Sequence, residues 1–120
     1  MYTDALGYFH GIYHVYDVHA DRTQCRTSTV SAHVYSEDGF EWHTSGTQPY
    51  STQIATTANG TLTVATRERP KMFFDKIGRM THLFNGVSSA TACPEGPETG
   101  CVDCKYASWD YTLVSPLSLS

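Results

Sequence analysis

Residues 29–44 read TVSAHVYSEDGFEWHT and predict a β-hairpin. Apolar and β-branched residues alternate with polar ones on either side of Asp38-Gly39, and an Asp-Gly pair between two such runs is a strong short-range hairpin signal. The same turn chemistry accounts for Asp38, so we interpret its carboxylate as a turn residue and not as a catalytic base.

Turn residues separate β-prone runs at two later places as well: Asn59-Gly60 between 54–57 and 61–66, and Asp75 to Gly78 between 71–74 and 80–84. Residues 8–18, YFHGIYHVYDV, alternate in the manner of a strand with one buried face. Residues 109–115 form the last predicted strand. Because no segment keeps a helical period over three turns, the sequence predicts an all-β fold made of antiparallel hairpins.

Composition favours a single ordered domain that covers residues 1–120. Apolar residues make up 40% and charged residues 17% of the chain, which excludes intrinsic disorder. The net charge is −4 and no basic stripe is present, so we do not expect a nucleic-acid partner. The sequence has neither the run of about 18 apolar residues that a membrane span needs nor a signal peptide. It contains no motif that calls for a cofactor.

The four cysteines predict two disulfides. Cys93, Cys101 and Cys104 lie in a predicted loop, residues 88–107, and Cys25 lies far upstream. Four cysteines allow three pairings, and we expect Cys25 to pair with one of the other three and the remaining two to pair locally. Cys101-x-x-Cys104 also has the spacing of a zinc knuckle, but the second CxxC of a zinc ribbon is absent, which favours disulfides.

Asn59-Gly60-Thr61 is an acceptor sequence for N-glycosylation. Disulfides are typical of secreted proteins, and an acceptor sequence agrees with that origin. Together they predict an extracellular location.

Four strings carry a resemblance to a known superfamily: GIYHVY (11–16), AHVYSEDGFEW (32–42), RERP (67–70), which precedes the predicted strand 71–74, and GRMTHLFNG (78–86). They resemble the five-bladed β-propeller glycoside hydrolases, which comprise the family 43 arabinosidases, xylosidases and arabinanases and the invertase-like enzymes. The resemblance covers residues 4 to 87. It implies propeller-type blades and hydrolysis of pentose- or fructose-type glycans.

The resemblance also implies a general acid. Such enzymes cleave a glycosidic bond with two carboxyl groups, one of which donates a proton to the leaving oxygen. Glu68 matches the superfamily's Glu-before-Pro motif and is the candidate for that acid. Arg67 and Arg69 flank it, but adjacent strand residues point to opposite faces. The alternative is that Glu68 forms an ion pair with one of the arginines and stabilises a blade edge.

Further polar residues near these motifs are candidates for binding the sugar: His14, His33, His82, Arg67 and Asn85. Histidines at such positions can hydrogen-bond sugar hydroxyls, although a structural histidine is the commoner alternative. The separation of the three histidines gives no metal-ligand spacing, so no metal site is expected.

The chain is too short for a complete propeller. A blade has four strands and about 40–50 residues, so five blades need well over roughly 200 residues, and this chain holds about two. Two blades expose sheet edges, so we expect self-association or contact with the missing blades. The superfamily's Asp-Pro motif is absent, which leaves the enzyme assignment open. The alternative is a non-catalytic carbohydrate-binding or self-assembling module.

Overall fold

The computed structural model describes residues 1–15, 29–89 and 111–117. These residues form eight strands: β1 (Tyr2–Thr3), β2 (Phe9–His14), β3 (Ser31–Ser36), β4 (His43–Thr44), β5 (Gln53–Ala55), β6 (Thr61–Phe74), β7 (Met80–Ser89) and β8 (Tyr111–Pro116). No helix occurs in these ranges, and so none of them holds a helix that could span a membrane. The predicted all-β class is confirmed.

The strands form two antiparallel sheets, each with four strands in chain order. The first sheet has the order β1-β2-β3-β4 and the second has the order β5-β6-β7-β8. A small apolar core of Val30, Tyr50 and Leu83 is extended by partly buried apolar residues from both sheets, Ile12 and Met72 among them. Ile12 belongs to β2, Met72 to β6 and Leu83 to β7, so this core joins the two sheets.

The hairpin between β3 and β4 is held by the Asp38 carboxylate. Asp38 Oδ1 accepts hydrogen bonds from the backbone N–H groups of Phe40 at 2.8 Å and Glu41 at 2.9 Å. These backbone hydrogen bonds, that from Glu41 first, lower the pKa of Asp38 from its ordinary value. Gly39 has a φ of +81°, which an L-residue rarely adopts. Asp38 therefore acts as the turn residue that the sequence predicted.

Two turns of the form Asp-x-x-Gly have the same construction. Asp4–Gly7 joins β1 to β2 and Asp75–Gly78 joins β6 to β7. In each turn the glycine N–H donates to the aspartate carbonyl at 3.1 Å. In each, aspartate Oδ1 also accepts two backbone N–H groups, at distances between 2.9 and 3.0 Å. The glycines have φ values of +89° and +81°, so both turns need a residue that tolerates the left-handed region.

The predicted Asn59-Gly60 hairpin joins β5 to β6 and is confirmed. Asn59 has a φ of 58°, a conformation that asparagine tolerates better than most residues. Its side chain is exposed. The glycosylation sequence is therefore accessible, and its use remains a prediction.

The structure corrects the predicted strand bounds. RERP does not precede a strand: it lies inside β6, which continues unbroken from 61–66 through 71–74. Strand β7 continues through Ser89, into the predicted loop 88–107. Cys25 and the three clustered cysteines lie outside the described residues, so the disulfide prediction is not tested.

Candidate functional site

A β-bulge in β6 gathers several of the predicted site residues. Glu68 pairs with Gly86 and Lys71 pairs with Phe84, so two residues of β6 lie opposite a single residue, Asn85. One of the two is Pro70, which has no N–H for the ladder. The other is Arg69, whose φ of 50° is in the left-handed region. We call Arg67, Glu68, Arg69 and Asn85 the bulge site.

Arg67 is a buried cation that bonds to three neighbouring segments. Its side chain is 5% exposed. Nε donates to Asn85 Oδ1 at 2.9 Å, one terminal nitrogen donates to the Ser51 carbonyl at 3.1 Å, and the other to Ser115 Oγ at 2.9 Å. The guanidinium carbon also lies 4.8 Å from the centre of the Tyr50 ring, within cation–π range. Burial lowers the pKa of Arg67 from its ordinary value, and Tyr50 opposes that shift.

Glu68 is buried as well, with 7% of its surface exposed. Its partner across the ladder is Gly86, which has no side chain, whereas Arg67 is paired with Val87. Successive residues of a strand point to opposite faces, so Glu68 and Arg67 lie on opposite faces of the second sheet. The amide of Asn85, 1% exposed, donates to the backbone carbonyl of Glu68 at 3.3 Å.

The first sheet contributes His14 to this region. The backbone N–H of Arg69 donates to His14 Nδ1 at 3.1 Å, which brings the end of β2 to the bulge. Four predicted residues therefore lie around the bulge: Arg67, Glu68, Asn85 and His14. The Glu68 side chain is on the opposite face of the sheet from Arg67. His82 lies elsewhere, with Nδ1 3.0 Å from Thr81 Oγ1.

A groove of about 300 Å³ opens beside the bulge. It is lined by Arg69, Lys71, Phe84, Asn85, Gly86 and Thr112. The lining combines two cationic side chains, an aromatic ring and an amide. Aromatic rings and hydrogen-bonding side chains are groups that can contact sugars.

The remaining candidate, His33, belongs to a separate hydrogen-bonded chain in the first sheet. Asp4 Oδ2 lies 3.1 Å from His10 Nε2, and His10 Nδ1 lies 2.9 Å from His33 Nε2. We call Asp4, His10 and His33 the histidine chain. Tyr2 stacks on the His10 ring with a centroid distance of 4.8 Å.

The charges of the histidine chain follow from its contacts. The hydrogen bonds from His10, Tyr8 and Leu6 lower the pKa of Asp4, so this carboxyl is ionised at neutral pH. Burial, and then the charge of His10, lower the pKa of His33. An ionised carboxylate only accepts hydrogen bonds, so His10 Nε2 must carry a proton.

An open cavity of about 260 Å³ adjoins this chain. Its lining is mostly apolar and consists of Tyr2, Ile12, His33, Thr47, Pro49, Met80, Leu83 and Leu117. His33 is the imidazole in this wall. The described residues contain no group of three or more side chains that could hold a metal ion.

The site residues expected from the sequence included neither His10 nor Asp4. The signal was present in strand alternation, because His10 and Ile12 lie on one face of β2, and Ile12 pairs with His33 across the sheet. His10 and His33 are therefore diagonal neighbours across β2 and β3. This relation can be predicted only when the register of the two strands is known.

No family model, no curated protein and no solved structure matches this chain. The resemblance to the propeller glycoside hydrolases therefore remains an inference from motifs.

Proposed function

We propose that this chain is part of a glycoside hydrolase of the five-bladed propeller type, acting on pentose- or fructose-type glycans, with Glu68 as the general acid. The observation that carries the proposal is the buried Glu68 at a strained bulge, with Arg67, Asn85 and His14 around the same bulge.

Bulges and left-handed non-glycine residues are over-represented beside functional sites, where they re-aim a side chain at a cost in backbone strain. Arg69 and Pro70 supply such a distortion immediately after Glu68. A purely structural ion pair at a blade edge would not need this distortion. The geometry therefore favours a functional role for Glu68.

The strand order agrees with propeller-type blades, since each sheet is a four-stranded antiparallel meander in chain order. In the proposed enzyme, further blades from a longer chain or from other copies pack beside these two sheets around a central axis and supply the second carboxylate. Retaining chemistry needs that carboxylate about 5–5.5 Å from Glu68, and inverting chemistry about 6.5–9.5 Å. Secretion, which the exposed Asn59 agrees with, belongs to the same proposal.

The decisive experiment compares Glu68→Gln with the exposed control Glu41→Gln. Hydrolysis of aryl pentosides and of arabinan, xylan and fructan oligosaccharides is measured with this chain and with the longest product of its gene. We expect Glu68→Gln to reduce the rate by about 10²–10⁴-fold while oligosaccharide binding survives, because the variant removes only the proton donor. Activity that is equal in Glu68→Gln and the wild type would refute the assignment.

The groove beside the bulge favours a second candidate function, a non-catalytic carbohydrate-binding module. Phe84 would then contact the sugar, with Lys71 at the side. In that case the wild type binds oligosaccharides without hydrolysing them. Phe84→Ala would weaken binding, whereas Glu68→Gln would alter only thermal stability.

A further inference from the structure

We propose that the cavity beside the histidine chain binds a small aromatic molecule with one hydroxyl group, and that Asp4, acting through His10, sets His33 as the hydrogen-bond acceptor for that hydroxyl. This cavity and chain lie in part on the first sheet and include no residue of the bulge site.

The size and lining of the cavity determine the class of ligand. A volume of about 260 Å³ exceeds the roughly 150 Å³ in which an apolar protein cavity holds benzene, so one substituted ring fits. Ile12, Leu83 and Leu117 supply apolar walls, which favour a ring over a sugar. His33 supplies a hydrogen-bonding group to orient the ring.

The direction of the hydrogen bonds determines whether His33 Nδ1 is a donor or an acceptor. His10 Nε2 donates to the Asp4 carboxylate, so in the neutral imidazole His10 Nδ1 is an acceptor. His33 Nε2 must then donate to His10 Nδ1, across their separation of 2.9 Å. With its single proton on Nε2, neutral His33 has Nδ1 as an acceptor, and the matching ligand group is a hydroxyl donor.

Asp4→Asn reverses the donor and acceptor roles in both hydrogen bonds of the histidine chain. The asparagine carbonyl can still accept the turn hydrogen bonds from Leu6 and Tyr8, but its amide donates to His10 Nε2 in place of the carboxylate. His10 Nδ1 then carries the proton and donates to His33 Nε2. His33 Nδ1 becomes a donor, and the cavity should prefer a ligand that only accepts.

The experiment uses two fluorinated probes in ¹⁹F NMR titrations at pH 8, above the ordinary imidazole pKa of about 6.5. 4-Fluorophenol has the hydroxyl donor, whereas 4-fluoroacetophenone has only an acceptor. The wild type should prefer the phenol, and Asp4→Asn should shift the ratio of the two dissociation constants by about tenfold or more toward the ketone, the effect of one hydrogen bond.

The matched control is Asp75→Asn, which makes the same change in the Asp75–Gly78 turn. There the second carboxylate oxygen bonds Arg79 and no histidine. It should leave the ratio at the wild-type value. A ratio unchanged by Asp4→Asn, or no saturable binding of 4-fluorophenol to the wild type, would overturn the proposal.

Two measurements do not depend on the folding of Asp4→Asn. Long-range ¹H–¹⁵N spectra of the wild-type imidazoles should show His33 protonated at Nε2 and not at Nδ1; a proton on Nδ1 would contradict the proposed direction. His33→Phe keeps an apolar wall and removes the acceptor, so it should lose the preference for the phenol. If it kept that preference, His33 would not be the acceptor.

Discussion

The two sheets each hold a polar assembly on their packed side, and the two assemblies differ in kind. The first sheet has the histidine chain, which consists of one carboxylate and two imidazoles and leads to an open cavity. The second has Arg67, a cation that stays charged across the ordinary pH range and bonds to an amide, a carbonyl and a hydroxyl. We expect the stability that the histidine chain contributes to change with pH. The hydrogen bonds of Arg67 should connect their three segments equally well at every ordinary pH.

The two Asp-x-x-Gly turns, Asp4–Gly7 and Asp75–Gly78, show a similar difference between the two sheets; we call them the twin turns. Asp4 and Asp75 organise identical backbones with Oδ1, but Asp4 Oδ2 lies 3.1 Å from His10 whereas Asp75 Oδ2 accepts from Arg79 Nε at 2.8 Å. Arg79 is largely exposed, and His10 is largely buried. The same local motif is therefore structural in one place and part of a partly buried hydrogen-bonded chain in the other.

The largest expected effect is that of Arg67→Met. Removal of the guanidinium leaves Asn85 Oδ1 and the Ser51 carbonyl without these donors, and loss of such a buried network costs about 2–4 kcal/mol of the free energy of unfolding. Urea unfolding at several pH values should show the same loss from pH 5 to pH 8. The control Arg79→Met should cost far less, because its ion pair is exposed to solvent. Equal losses in Arg67→Met and Arg79→Met would contradict the expected difference between the buried Arg67 hydrogen bonds and the exposed Arg79 ion pair.

Next in size are Gly7→Ala and Gly78→Ala. Neither added methyl group would meet an atom within 4 Å, so the cost is that of the left-handed backbone alone, about 1–2 kcal/mol in each turn. Thermal and urea unfolding should give nearly equal losses, because the two turns have the same geometry. A clear inequality would show that the twin turns are not energetically equivalent.

Arg69→Gly tests the strain at the bulge. A glycine accepts the φ of 50° without penalty, and the variant should gain up to about 1 kcal/mol in the free energy of unfolding, reduced by the greater freedom of glycine in the unfolded chain. Arg69→Val should destabilise the protein, since a β-branched residue tolerates this conformation poorly. If Arg69→Gly proved the less stable of the two, the bulge would not be strained.

The smallest effect is the pH dependence caused by His33. Its pKa is lowered in the folded protein, first by burial and then by the charge of His10, while the unfolded chain keeps a value of about 6.5. Below pH 6.5 the unfolded state binds more protons than the folded state. The free energy of unfolding therefore declines as the pH falls from 6.5 toward the pKa of His33 in the folded protein, and above pH 6.5 this loss is absent. Asp4, Tyr2 and Tyr35 are the other titratable groups around His10 and His33.

Urea unfolding of His33→Phe at pH 8, 6.5 and 5 should therefore show a shallower decline in acid than that of the wild type. Asp75→Asn should keep the wild-type decline over this range, because the pKa of Asp75 is lowered from an ordinary value that is already below pH 5. An unchanged slope in His33→Phe would contradict the assignment.

Local sequence determined much of the fold. In the Asp38-Gly39 and Asp75–Gly78 turns, an aspartate that bonds its own backbone is paired with a glycine of positive φ. In the Asn59-Gly60 turn, Asn59 itself has the positive φ. The hairpins therefore follow from neighbours within five residues. The long β6 could not be read in this way. RERP contains a proline that interrupts a ladder, and only the pairing with β7 across Asn85 shows that the strand continues as a bulge.

The polar assemblies depended on tertiary structure to a greater extent. The sequence alone singled out Arg67, Glu68 and Asn85, but it could not tell that Arg67 bonds Ser115, 48 residues away. It also grouped His33 with the other sugar-binding candidates, whereas the register of β2 and β3 joins it to His10 and Asp4. Turn formation is decided by short-range backbone geometry, while hydrogen bonds between distant side chains exist only after strand register and sheet packing have fixed which groups meet.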